Sequence, residues 1–163
     1  IYVADLDLAP MVGAVAISLI GIFNILGSLL SGAFGQRYSK KIGLSGIYAL
    51  RALVLAIFLI SPKTTEVIYV FAATMGILWL STVPLTAGLV AQVFGIRYMA
   101  TLYGFVFLSH QIGSFIGVWL GGFIHDTTGS YDLMWQAGIL MGLVAAVIHL
   151  PIDETPVPRL QEA

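Results

Sequence analysis

Arg51 and His110 are the two side chains in this sequence whose type and position best suit ion chemistry. Each lies near the middle of a long apolar stretch, Arg51 within 42–60 and His110 within 98–124. A guanidinium offers a fork of N–H donors that matches a carboxylate, and an imidazole takes up a proton near neutral pH. The pair therefore indicates a site for a small anion, with a proton as a candidate coupling ion.

Both residues also have a structural interpretation. An arginine within an apolar helix needs partners, and backbone carbonyls or polar groups on another helix would satisfy Arg51 as well as a substrate would. A histidine at this depth equally serves as a neutral hydrogen-bonding link between helices. Binding and structural roles therefore stay open for both residues. His149 lies at the end of an apolar stretch, and we interpret it as an interfacial residue.

Further polar and aromatic side chains recur at three- and four-residue spacing, which places them on common helix faces. They either line a solute path or make contacts between helices. Pro84, which interrupts 66–93, predicts a kink because proline lacks a backbone N–H. The candidates for the lining of a solute cavity are Asn24, Ser28, Arg51, Trp79, Thr82, Thr86, His110, Gln111 and Ser114.

A glycine recurs every four residues in the fourth apolar stretch, at Gly113, Gly117 and Gly121. Such a ridge of small residues lets the backbone of another helix approach closely. We interpret it as a helix-packing surface rather than as part of a binding site.

Enzymatic chemistry finds no support in the sequence. It contains no HExxH zinc motif, nucleophile elbow or phosphate-binding loop, and its three histidines are too scattered for a metal site. No cysteine occurs, and no acid lies in the interior of an apolar stretch, so an intramembrane protease would lack its catalytic acid. We expect neither an enzyme nor a cofactor or metal centre. No basic patch is large enough to predict nucleic-acid binding.

The elements that must position these residues are membrane helices. Hydrophobic residues make up 59% of the sequence and charged residues 9%, whereas soluble domains carry about 45–50% and about 25%. A helix of ~20 residues crosses a hydrocarbon core of ~30 Å. We therefore predict an all-α, polytopic membrane helix bundle with a polar tail, 152–163. The predicted helices are 10–35, 42–60, 66–93, 98–124 and 133–151.

Cations are concentrated on one side of this predicted bundle. Alternating helices place Lys63 on one side and the other loop and tail cations opposite it: Arg37, Lys40, Lys41, Arg97 and Arg159. Cytoplasmic loops carry the excess of lysine and arginine in membrane proteins. We therefore predict an integral protein of a bacterial inner membrane with its C-terminal tail in the cytoplasm.

The loop "GAFGQRYSKK" carries the most specific motif of the sequence. Its Gly32, Gln36, Arg37, Lys40 and Lys41 resemble the signature of the major facilitator superfamily, with Gln36 in place of the usual aspartate. In that family the basic residues of the motif contact acidic groups and helix ends to hold the cytoplasmic gate. The resemblance implies the same role here, with a weaker latch because Gln36 is uncharged.

A degraded copy of this motif is typical of the second half of such carriers. A shift of 90 residues also aligns "GSLLSGAFGQRY" with "GVWLGGFIHDTT", and the two copies end on opposite sides, as inverted repeats require. The resemblance thus implies that the five helices are helices eight to twelve of a twelve-helix carrier. It is similar in particular to bacterial carriers of the monocarboxylate-porter branch.

The resemblance implies secondary active transport of a small organic anion or another small solute by alternating access. The lipid bilayer and a missing N-terminal half would be its partners. Asn24 and Ser28 stand where monocarboxylate carriers have an aspartate and an arginine, so that substrate is not simply inherited. Another class of function stays open: a truncated carrier remnant that serves as a structural subunit of a larger membrane complex.

Overall fold

Every regular element in the computed structural model is a helix, within the residues that it describes, 2–6 and 8–158. Arg159, a cation of the predicted cytoplasmic side, and the remainder of the tail after residue 158 lie outside the described residues. In chain order the helices are α1 (Tyr2–Asp5), α2 (Pro10–Arg37), α3 (Lys40–Ile60), α4 (Thr65–Trp79), α5 (Thr82–Phe94), α6 (Met99–Thr128) and α7 (Asp132–His149).

Among the described residues, five segments are long and apolar enough to cross a membrane, which confirms the predicted all-α membrane bundle. The third is a pair of helices, because α4 and α5 follow each other almost without interruption. The five spans are Pro10–Arg37, Lys40–Ile60, Thr65–Phe94, Met99–Thr128 and Asp132–His149.

Local sequence explains where several helices begin and end. The Ser39 hydroxyl accepts a hydrogen bond from the Ile42 N–H at 3.4 Å, and the Thr64 hydroxyl accepts one from the Val67 N–H at 3.4 Å. Such caps satisfy backbone donors that have no partner in the first turn of a helix. At the end of α6, Gly129 adopts a left-handed conformation with φ 69°, which glycine tolerates at little cost.

Two helix pairs form the body of the bundle: α2 packs along α4, and α3 packs along α7. Glycines allow the close approach of the first pair. A Cβ at Gly27 would overlap the carbonyl oxygen of Ile77, and a Cβ at Gly76 would lie 2.8 Å from the carbonyl oxygen of Ile20. Because α5 contacts both α2 and α3, it joins the two pairs into one bundle.

The two ends of the bundle differ in chemistry. At what we name the basic end, Lys40 and Lys41 at the start of α3 meet Gln92 of α5 and the segment 152–157 that follows α7. At the opposite, aromatic end, ring systems from α1, α3, α4, α7 and the residue just before α7 pack on one another. They are Tyr2, Phe58, Phe71, Tyr131 and Trp135.

Among the spanning helices, α6 packs least against the rest of the bundle. Ile124 is its one buried residue, and a Cβ at Gly113 or Gly117 would meet nothing within 4 Å among the described residues. A Cβ at Gly121 would lie 3.5 Å from Met134 of α7. The predicted glycine ridge is therefore uncovered at Gly113 and Gly117, and its packing role stays a prediction.

Candidate functional site

The third span breaks at Leu80, four residues before Pro84. In a continuous helix the carbonyls of Leu78 and Trp79 would accept bonds from N–H groups four residues further on. Val83, the expected partner of Trp79, instead donates to the Leu80 carbonyl at 3.0 Å. Proline lacks an N–H, and its ring clashes with the carbonyl four residues earlier, which explains the break. The kink predicted at Pro84 is thus a full interruption of the helix.

Arg51 provides donors for the carbonyls that the break exposes. Its Nε donates to the Leu78 carbonyl at 3.2 Å, and its Nη2 donates to the same oxygen at 2.5 Å and also to the Trp79 carbonyl. From the side of α2, the Asn24 Oδ1 accepts a bond from the Leu80 N–H at 3.2 Å. Arg51 therefore caps the carbonyl end of α4, and Asn24 links α2 to the break.

A cavity of about 570 Å³ lies beside the break, between α3, α5 and α6, with the ends of α4 and α7 completing its wall. A volume of this size is in the range of small-molecule sites. Five of the predicted candidates line it: Arg51, Trp79, Thr82, Thr86 and His110.

Positive charge dominates this cavity. The contacts of Arg51 with the α4 carbonyls use Nε and Nη2, so its Nη1 carries two N–H groups for a ligand. His110 and His149 add two imidazoles, and none of the described residues that line the cavity is an aspartate or a glutamate. Coulomb interactions are strong where water is scarce. A cavity with a fixed cation and no acid therefore favours a small anion.

The remaining candidates lie outside the cavity. Ser28 is half-buried on α2, and Gln111 and Ser114 are exposed on α6. Gln111 follows His110 directly, so it is turned by about 100° around the helix axis and faces away. Ser114 shares the face of His110 but lies one turn further along α6 than the part that borders the cavity.

Tyr48 and His149 line the cavity without having been predicted to do so. The position of Tyr48 three residues before Arg51 was a usable signal, because residues three apart in a helix share a face. No local signal marks His149, which we interpreted as interfacial. It reaches the cavity because α7 packs along α3, where the Ser45 hydroxyl donates to the Ala146 carbonyl at 2.7 Å.

A smaller cavity of about 360 Å³ lies between α3 and α4. Hydrocarbon side chains such as Val54, Ile57 and Val70 make up most of its wall, and its charged lining residue is Glu66. An apolar wall with so few polar groups cannot orient a charged solute. The larger cavity is therefore the candidate site.

Comparison with known families identifies the family of this bundle. The sequence profile described as Major Facilitator Superfamily matches residues 1–163. The chain belongs to the Major Facilitator Superfamily. This is a family of transporters rather than enzymes, and with five spanning helices the chain is an integral membrane protein. The resemblance inferred from the loop motif is confirmed at the level of the superfamily.

A curated relative carries the same family name. The "Uncharacterized MFS-type transporter YcxA" of Bacillus subtilis (strain 168) is 29% identical over 135 residues. The match covers 80% of this chain and 33% of the relative, so the chain spans about a third of the relative's length. No solved structure matches the chain. The family profile and the Bacillus relative both support a role in transport.

The superfamily motif lies at the basic end, where its two lysines are engaged within the chain. Lys40 Nζ donates to Gln92 Oε1 at 2.6 Å, and Lys41 Nζ donates to the Ile152 carbonyl at 2.8 Å. Arg37 is exposed, and its side chain makes no hydrogen bond or ion pair within 2–6 and 8–158. Of the predicted gate cations, Arg37 is therefore the one left for a partner segment, and the gate role itself stays a prediction.

Glu154, in the segment after α7, supplies a carboxylate where the motif has only Gln36. Its Oε1 accepts a bond from the Lys41 N–H at 2.7 Å, at the positive end of the α3 dipole. Burial acts to raise the pKa of this carboxyl, but hydrogen bonds from the Lys41 N–H, the Ser39 hydroxyl and the Lys40 N–H outweigh it. The pKa of Glu154 therefore lies below its ordinary value, and the charged form holds the tail against α3.

Glu154→Gln should loosen the first turn of α3. Loss of the charge at a helix start costs about 0.5–1 kcal/mol, so amide hydrogens there should exchange ~2–5-fold faster. A lowered pKa means that the contact is complete above the ordinary value of 4.5 and is lost as the pH falls below it. The wild-type protein should therefore come to resemble the variant in acid. Hydrogen exchange read by mass spectrometry measures both effects.

Asp153→Asn is the matched control for this experiment. It removes one neighbouring charge, but the Asp153 carboxylate bonds the Thr155 N–H at 2.9 Å and makes only a weaker charge interaction with Lys41 at the start of α3. Exchange in α3 should change less in this variant than in Glu154→Gln. Identical exchange in wild type and Glu154→Gln at neutral pH would contradict the proposed contact.

Proposed function

We propose that this chain is part of a secondary carrier that moves a small organic anion across a membrane by alternating access. The observation that supports this most directly is the composition of the larger cavity, which places Arg51 and two histidines around a space free of acids among its described lining residues. Membrane proteins bury charge mainly where it serves a pathway or a partner. Here one guanidinium serves as a helix cap and keeps Nη1 for the solute.

The remainder of a longer carrier would complete the solute path. The chain covers about a third of its Bacillus relative, and α6 presents an uncovered surface at Gly113 and Gly117. We propose that the chain forms helices eight to twelve of a twelve-helix carrier, and that the N-terminal half packs on α6. The cavity then lies between the halves, where inverted-repeat carriers bind their solutes.

The distribution of cations suggests the orientation of the bundle. Lys40 and Lys41 lie at the basic end with the segment that follows α7, whereas Lys63 lies at the aromatic end. By the positive-inside rule the basic end faces the cytoplasm. We therefore propose a bacterial inner membrane protein with its C-terminal tail in the cytoplasm.

A monocarboxylate fits the charge of the cavity, because Arg51 is the one lining residue among those described that is always ionised. This agrees with the proposed similarity to the monocarboxylate-porter branch. Asn24 does not take over the role of the aspartate that carriers of that branch have at this position, because its side chain accepts a hydrogen bond from the Leu80 N–H. The solute contacts therefore come from Arg51 and the cavity residues of α5 and α6.

Uptake by the full-length protein tests the proposal. The protein is purified from its native membrane, its intact mass is measured against the 17.5 kDa of this chain, and it is reconstituted into proteoliposomes. Radiolabelled acetate, lactate and benzoate should include at least one anion with saturable uptake above that of protein-free liposomes. A mass near that of the chain, with no uptake of any of the three, would contradict the carrier and favour a structural membrane subunit.

A further inference from the structure

His149 has a defined hydrogen-bonding arrangement at the cavity wall. Its Nδ1 lies 2.6 Å from the Ala145 carbonyl oxygen, and its ring stacks on Tyr48 with centroids 5.1 Å apart. A carbonyl only accepts hydrogen bonds, so Nδ1 carries a hydrogen in both charge states of the ring. In the neutral ring the lone pair is therefore on Nε2, which is the nitrogen that can gain a proton.

Arg51 lies against the same aromatic ring as His149. The Arg51 Cζ is 5.2 Å from the centroid of Tyr48, so both cationic groups border one side chain and one cavity. Protonation of His149 places a second positive charge on the wall of the cavity that already holds the fixed one. Such like charges repel each other unless a negative charge enters the space.

No acid of the neighbouring elements supplies that negative charge within the described residues. The titratable groups that line the cavity are Tyr48 and Arg51 from α3 and Tyr103 and His110 from α6, while the α4–α5 break contributes hydroxyls and Trp79. In the segment after α7, the charges of Asp153 and Glu154 interact with Lys41 and Lys40, and the two carboxylates also bond the N–H groups of Thr155 and Lys41. A solute anion is therefore the available counter-charge.

We infer that His149 takes up the coupling proton, and that the proton and the anion bind together because each offsets the charge of the other. This inference rests on the proposed function. A proton from water on one side adds to Nε2 as a carboxylate enters beside Arg51, and both leave on the other side, where Nε2 returns the proton to water. Because linkage is reciprocal, the proton strengthens anion binding by the same factor as the anion strengthens proton binding.

Benzoate binding by the full-length protein at different pH values tests the inference. The wild-type Kd should rise with pH, by up to about tenfold per pH unit. His149→Gln should bind benzoate weakly and with a flat pH profile. In calorimetry with buffers of different ionisation enthalpy, at a pH where the wild-type Kd varies with pH, wild type should take up close to one proton per benzoate, and the variant close to none.

Two histidine variants and one neutral probe make the test specific. His125→Gln is the matched control, because His125 lies beside Asp5 at 3.6 Å, away from the cavity, and it should keep the wild-type profile. Benzamide has the shape of benzoate without its charge, so any binding of benzamide should not vary with pH. A pH profile that survives in His149→Gln, or one that disappears in His110→Gln, would overturn the assignment to His149.

Failure of the inference differs from failure of the proposed function. Benzoate binding that does not vary with pH in the wild type overturns proton coupling at His149 and leaves an anion site at Arg51. Absence of binding by acetate, lactate and benzoate at every pH overturns the anion carrier itself.

Discussion

Arg51→Gln is expected to leave a folded protein that no longer binds the anion. The glutamine amide nitrogen stands about where Nε of Arg51 does, so it keeps an N–H donor for the Leu78 carbonyl, but it has no charge. Loss of one partner from a poorly hydrated charge pair costs about 2–5 kcal/mol, which lowers affinity ~30-fold or more. Benzoate binding and uptake by the full-length protein, beside a thermal melt, measure the two consequences separately.

Arg51→Lys is the complementary variant. An ammonium keeps the charge but lacks the planar fork, so it cannot cap both carbonyls of α4 and still present donors to a solute. We expect weakened anion binding together with a loss of stability of about 1–3 kcal/mol. If Arg51→Gln binds and transports anions like the wild type, Arg51 only caps α4 and the solute site must be placed elsewhere.

Gly27→Ala is expected to lower the stability of the bundle more than any conservative substitution on its surface. The new Cβ would overlap the Ile77 carbonyl oxygen and lie 2.8 Å from the Ser81 hydroxyl oxygen. A backbone carbonyl cannot rotate away as a side chain can, so α2 and α4 must separate. Overpacking of this kind costs about 3 kcal/mol, which should appear as loss of the monodisperse peak in detergent and a lower melting temperature.

Gly21→Ala provides the matched control on the same helix. A Cβ at Gly21 would meet nothing within 4 Å, and alanine is a better helix former than glycine by about 1 kcal/mol. Stability should therefore stay equal or rise slightly. Equal melting temperatures for Gly27→Ala and Gly21→Ala would show that α2 and α4 do not approach as closely as described.

The elements of this fold were predictable because they depend on neighbouring residues. A run of apolar residues long enough to cross a bilayer is a property of consecutive positions, and so is the interruption that Pro84 causes. Arg51 stood out for the same reason, as a charge inside an apolar run. Its capping role was one of the two interpretations that the sequence left open, and the anion role stays a proposal.

The partners of these residues depend on the packing of distant segments. The Arg51 guanidinium bonds a carbonyl 27 residues away, and the Glu154 carboxylate bonds an N–H 113 residues away. His149 lines the cavity because α7 packs along α3, and no local sequence pattern predicts that packing. The sequence therefore predicted which groups need partners, but it did not predict which partners they have.

Glycine shows most clearly where prediction from the sequence ends. The evenly spaced Gly113 and Gly117 were expected to make the close helix contact, yet the tightest approach in the described residues is at Gly27 and Gly76. In a bilayer, lipid tails are as apolar as a protein core. A helix face that contacts lipid therefore has much the same residue composition as one that contacts another helix. The order of residues along the chain was enough to predict the spanning helices and the interruption at Pro84. Which helix faces pair with each other could be seen only in the packed bundle.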